Sequence, residues 1–158
     1  MKNYNNVTTI YPNYLEPYVG FSNSYRCLGR LEDALDIQKR QIKLMEDNNT
    51  TSLPINQKGI NCRDNSGDII LLNSSMEKYY FYYNIALTYY LLNDEKMAQE
   101  NYNKANGLNL DLYSKLKVLD VVNLDIKNLQ KTIEKKPKLQ NKIIEFQNKF
   151  VLPQVQVS

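Results

Sequence analysis

The chain has 158 residues, 42% hydrophobic and 23% charged, with a net charge of +3. That is room for one domain and a sizeable core, and the composition fits a soluble globular protein and excludes a disordered one. There is no histidine and no tryptophan, so the commonest general base and the commonest zinc ligand are both missing.

Nothing at the N-terminus combines the basic start, apolar centre and small-residue exit of a signal peptide, and no apolar run nears the roughly 20 residues that span a bilayer. The two cysteines, Cys27 and Cys62, lie far apart without CxxC spacing and read as free thiols of a reducing compartment. The Asn-x-Ser/Thr matches at Asn6, Asn48, Asn49 and Asn73 then follow from the high asparagine content. A cytoplasmic location is expected, with no membrane association. No phosphate loop, GxSxG elbow or dinucleotide fingerprint occurs. The expectation is a non-enzyme with no catalytic residues, no metal and no cofactor.

The first helical pattern runs through "YVGFSNSYRCLGRLEDALDIQKRQIKL". Tyr18, Phe21, Ser22 and Tyr25 fall at spacings of three, one and three, which gathers them on one helix face. Gly29 breaks the pattern and "LEDAL" resumes it, so residues 13–46 read as a helical hairpin with its elbow at Gly29. Ala34 faces back across the elbow, where two antiparallel helices approach closely. Residues 47–74 read as a polar insertion rich in Asn, Ser, Thr, Gly and Pro. Within it "DIILL" (68–72) is apolar enough to pack, as a short strand or an early helical turn. Ser74 with Glu77 has the form of a capping box that starts the next helix.

The second hairpin, over 75–110, contains "YYNIALTYYLLNDEKMAQENYNKANGLN". It repeats the first at an offset of 64: Tyr18, Phe21, Ser22, Tyr25, Gly29 and Ala34 return as Tyr82, Ile85, Ala86, Tyr89, Asn93 and Ala98. Asn replaces Gly where a left-handed residue closes a helix. Tyr102 and Ala105 add an aromatic and a small residue in the second helix, where the first hairpin has Gln38 and Gln41; there Ile37, Ile42 and Leu44 are expected to supply the apolar face.

Residues 111–136 carry apolar stripes (Leu112, Leu116, Leu119, Val122; Leu124, Leu129, Ile133) and read as a degenerate or capping hairpin. Pro137 opens a last helix over 137–152, followed by a tail at 153–158. From Asp111 onward nine lysines face five acids, about +4 there against about −1 elsewhere.

These residues resemble the tetratricopeptide repeat, a helix–turn–helix unit of about 34 residues. Pro12 stands where that family's helix-ending proline would sit, so residues 1–12 read as the remnant of a preceding repeat. The resemblance implies an all-α fold, a right-handed superhelix of antiparallel helical hairpins (an α-solenoid). It also implies a concave groove, lined by the first helix of each hairpin, that receives a peptide or a partner's helix.

The groove-facing side chains implied are Glu16, Val19, Asn23, Arg26 and Cys27, then Tyr80, Tyr83, Leu87, Tyr90 and Leu91. From these, Asn23, Arg26, Tyr80, Tyr83, Leu87 and Tyr90 are the expected peptide-binding residues; the alternative for the tyrosines is packing on the next hairpin or on the C-terminal helix. Tyrosines give large contact area at low entropic cost. Members of the family that grip a chaperone's carboxy-terminal peptide use a lysine at the places of Val19 and Tyr83, so that ligand is not expected here.

The expected function is therefore non-catalytic protein–protein interaction. The alternatives are a regulatory or fragmentary part of a larger repeat protein or enzyme, and a weak nucleic-acid binder acting through the C-terminal lysines. Nucleic acid is disfavoured as a partner, and self-association through uncovered end faces is a further route. Three smaller features have plainer readings. Asp64, Ser66 and Asp68 are turn chemistry, since the glycine falls too early for a calcium loop. "KYYFYY" (78–83) is core and groove before it is a stacking platform. Cys27 beside Arg26 is packing before it is a reactive thiol.

Overall fold

Two helical hairpins share one elbow geometry, and the bonds that close it recur at the same offset of 64. The computed structural model describes residues 16–46, 59–133 and 135–155, with side chains from Tyr18 and, in the second stretch, from Cys62. The expectations for residues 1–12, for the first part of the insertion (47–58) and for the end of the tail (156–158) lie outside the described residues. Helix α1 spans Glu16–Cys27 and α2 spans Leu31–Glu46; α3 spans Ser74–Leu91 and α4 spans Glu95–Asn106.

Gly29 and Asn93 both take positive φ, 79° and 65°. At the first elbow the Arg30 amide donates to Tyr25 and the Gly29 amide to Arg26; at the second, Asp94 donates to Tyr89 and Asn93 to Tyr90. This double closure satisfies carbonyls that a helix end would otherwise leave unpaired. Ala34 and Ala98, 64 apart, are both fully buried beyond their elbows. Gln38 and Gln41 are buried as well, although the first hairpin's apolar face was expected from Ile37, Ile42 and Leu44.

Between the hairpins a ribbon interrupts the helical pattern. Strands β1 (Gly59–Arg63) and β2 (Ile69–Asn73) pair antiparallel, with Cys62 opposite Ile70. The fold is thus mostly helical with one strand pair, so part of the segment expected as a polar loop is ordered sheet. Alternation explains it: Leu72 is fully buried while Ile69 and Leu71 face outward. In the turn, Asp64 accepts from the Ser66 and Asp68 amides, and Gly67 takes φ 88°. The expected Ser74 cap is displaced by one residue: Asn73 caps α3 by accepting from the Met76 amide, and Glu77 is buried.

Helix α3 is buried from end to end beyond Lys78 because neighbours surround it: α2, α4, both strands and the C-terminal helices all pack on it. Helix α5 runs unbroken over Leu112–Thr132, where a capping hairpin was expected; no glycine or proline interrupts those 21 residues. Asp111 caps it by accepting from the Ser114 amide. Helix α6 starts at Pro137 and ends at Phe146. It continues as a π-helical turn over Gln147–Val151 and a short α7, Leu152–Val155. The expected uninterrupted helix is widened ahead of Pro153, whose ring has no amide hydrogen for the bond four residues back. No helix among the described residues is long and apolar enough to cross a membrane.

Candidate functional site

The side of α3 that carries Tyr80, Tyr83, Leu87 and Tyr90 is covered by the last third of the chain. Tyr80, Tyr83, Leu87, Tyr90 and Arg26 are 0–3% exposed, and Asn23 is partly buried. The open groove expected along these residues is therefore a filled one. The physical reason is the apolar face of α5 and the two phenylalanines of the C-terminal segment, which bury themselves here. The Glu16 side chain lies outside the described residues; Val19 and Cys27 are partly buried and Leu91 is buried.

Each of the three tyrosines donates its hydroxyl to that covering segment. Tyr80 donates to the Asp125 carboxylate of α5. Tyr83 donates to the Phe150 carbonyl at 2.7 Å, and Tyr90 to the Glu145 carboxylate at 3.2 Å. Around these bonds the rings interlock. Phe150 lies 4.7 Å from Tyr102, 5.2 Å from Phe146 and 5.9 Å from Tyr90, centroid to centroid. Tyr83 meets Tyr102 edge-on at 5.7 Å. Such pairs each contribute about 0.5–1.5 kcal/mol beyond the area they bury. Lys142 sits 5.1 Å above the Tyr90 ring and reaches both Glu95 and Glu145, at 3.9 and 3.8 Å.

Asn23 and Arg26 meet Tyr80 through the same network. The Arg26 guanidinium donates to Asn23 at 3.0 Å, to the Asn84 carbonyl at 3.1 Å and to the Thr88 hydroxyl at 3.3 Å. Burial pulls its pKa down, and the Asp125 charge opposes that pull. Asp125 in turn is raised by burial, against the Tyr80 hydrogen bond and Arg26. Burial also drives the Tyr80 and Tyr83 phenols upward and takes Tyr90 to about 12, helped there by Glu145. None of the three ionises near neutral pH, so they serve as hydrogen-bond donors with large apolar rings.

The six residues expected from the sequence thus fall into two groups. Asn23, Arg26 and Tyr80 converge on Asp125, whereas Tyr83 and Tyr90 converge on the α6–π segment; Leu87 packs in the core on the same side of α3. The partners were missed. Asp125 carried a signal, since it lies at helical spacing from Val121, Val122 and Leu129 on the buried face of α5, where a carboxylate needs a partner. Phe146 and Phe150, four apart in a chain with only four phenylalanines, carried another.

Among the described residues no group of three or more His, Cys, Asp or Glu gathers as metal ligands would. No family model matches the chain, and no curated protein or solved structure matches it either. The tetratricopeptide resemblance therefore rests on the residue pattern alone.

Proposed function

We propose that the chain is a non-catalytic protein-interaction module built from two tetratricopeptide-like hairpins, stacked as in an α-solenoid, whose concave face binds a helix. In the free chain that helix is the protein's own C-terminal segment. One observation carries the reading: Tyr83 and Tyr90 give their hydroxyls to Phe150 and Glu145 of that segment, while Tyr80 bonds Asp125 of α5 beside it. The same surface would receive a partner helix of matching chemistry, with two aromatic side chains one turn apart and an acid beside them. Such recognition is groove capture of an amphipathic helix through anchors at helical spacing. A tethered ligand competes at an effective concentration in the millimolar range, so an outside helix must match well or arrive when the segment is loosened.

The test is a titration of the isotope-labelled full chain with a synthetic peptide copying residues 137–155, followed by amide resonances. Saturable shifts centred on Tyr83, Tyr90 and Tyr102 are expected, because the peptide exchanges with the tethered copy. Shifts scattered over the surface, or none at all, would count against the reading.

A further inference from the structure

On the other side of α3 the chain has a second concavity with different chemistry. By the 3.6-residue period, Ile85 and Tyr89 point away from Tyr83, Leu87 and Tyr90. Together with Ile42 of α2 and Met97 of α4 they floor a pocket of about 260 Å³ where the two hairpins meet. Lys39, Lys43 and Lys104 stand around it, against one acid, Glu46. None of the three lysines makes an ion pair among the described residues, and Lys104 lies 5.8 Å over the Tyr82 ring. Asp94 and Glu100, whose charges raise the Tyr89 phenol after burial has done so, are not among the lining residues.

We propose that this pocket is a second docking site, which takes an acidic segment of a partner protein through one large apolar side chain. Size comes first. The volume lies below the roughly 300–1,000 Å³ typical of small-molecule sites, and suits a single leucine or phenylalanine side chain. Charge decides the flanks: three cations against one anion favour carboxylates on either side of the anchor, and long lysine stems can lie over its apolar body. An apolar anchor in a pocket with a charged rim is the arrangement that concentrates binding energy at protein interfaces. A nucleic acid would also welcome the lysines, but it would need an exposed ring to stack on. Tyr89 is only 7% exposed, so the floor offers an edge and no platform.

The probe is a capped five-residue peptide, one phenylalanine with two glutamates on each side, titrated into the isotope-labelled full chain. Saturable shifts are expected at the amides around Lys39, Lys43, Ile85, Tyr89 and Met97, weakening as salt rises. An alanine-centred peptide of the same charge should bind at least about fivefold more weakly. The double charge reversal Lys39→Glu, Lys43→Glu should lower affinity at least about tenfold with helix content unchanged, since both side chains are exposed. Equal binding of the two peptides would overturn the proposal, as would shifts confined to the lysines beyond Asp111 or no saturable shift. So would displacement of the peptide from these amides by a single-stranded oligonucleotide. The outcome is separable from that of the groove titration, because the two peptides would move resonances on opposite sides of α3.

Discussion

Tyr83 donates its hydroxyl to the main-chain carbonyl of Phe150, 67 residues further along the chain, at 2.7 Å. That bond fixes the π-helical turn to the middle of the central helix, and the ring cluster of Tyr102, Phe146 and Phe150 closes around it. Tyr83→Phe keeps the ring and removes only the donor, leaving a buried carbonyl unpaired. The expected loss is about 1–3 kcal/mol in urea unfolding, with the denaturant slope unchanged. A loss below about 0.5 kcal/mol would mean that the carbonyl finds another partner.

Arg26 and Asp125 form the charged centre of the same face. Removing the cation strands a carboxylate that burial already penalises, so Arg26→Ala should cost about 3–5 kcal/mol. Asp125→Asn should cost less, because the amide still accepts from Tyr80. In the double variant Arg26→Ala, Asp125→Asn the losses should not add, and a coupling of about 1–3 kcal/mol is expected from the thermodynamic cycle. Additive losses would show that the two charges do not sense each other.

Glu77 ties stability to pH. Burial raises its carboxyl from the ordinary 4.5 to about 7, with Lys78 pulling weakly the other way. Between those values the folded chain holds a proton that the unfolded chain has released. Stability should therefore be fullest below about pH 4.5 as far as this group is concerned, and fall as pH rises through about 7. Glu77→Gln should be more stable than the parent at about pH 8, and the difference should vanish near about pH 4.5. Urea midpoints at three pH values check it; a constant difference would contradict it.

Adding a Cβ at one elbow and removing it at the other should have opposite effects. Gly29→Ala places a side chain at positive φ, where the Cβ would also meet Lys136 Nζ at 3.0 Å. A loss of about 1–2 kcal/mol is expected, the lysine itself being free to move. Asn93→Gly relieves a milder strain and should be neutral or slightly stabilising, by a few tenths of a kcal/mol. Thermal midpoints of both variants read this directly, and a stabilised Gly29→Ala chain would refute the elbow geometry.

The hairpins were legible because their information is local. Tyr18, Tyr25, Gly29 and Ala34 recur 64 residues later, and the bonds around Gly29 and Asn93 recur with them. Even the amides at Gln38 and Gln41 stand where the second hairpin has Tyr102 and Ala105, and all but Tyr102 are fully buried there. What remained hidden is non-local. The apolar stripes of α5 give its helical period, but not the surface it will cover. The widening at Gln147–Val151 depends on Pro153 and on where Phe150 must land. That the tyrosines of α3 would pack on the C-terminal helix was readable as the alternative to an open groove; the particular partners, Asp125, Glu145 and the Phe150 carbonyl, were not. The pocket at Lys39, Lys43 and Lys104 arises where α2 and α4 flank α3, which no sequence spacing reports.

The most direct measurement compares two chains, the parent and Phe146→Ala, Phe150→Ala, for binding a fluorescent peptide copying residues 137–155. Circular dichroism serves as the control that both hairpins remain helical. If the C-terminal segment is a replaceable ligand of the tyrosine face, the variant should bind the peptide at least about tenfold more tightly than the parent, because its tethered competitor is crippled. Equal affinity, or no binding to a variant that is still helical, would contradict that account and leave the face as ordinary core.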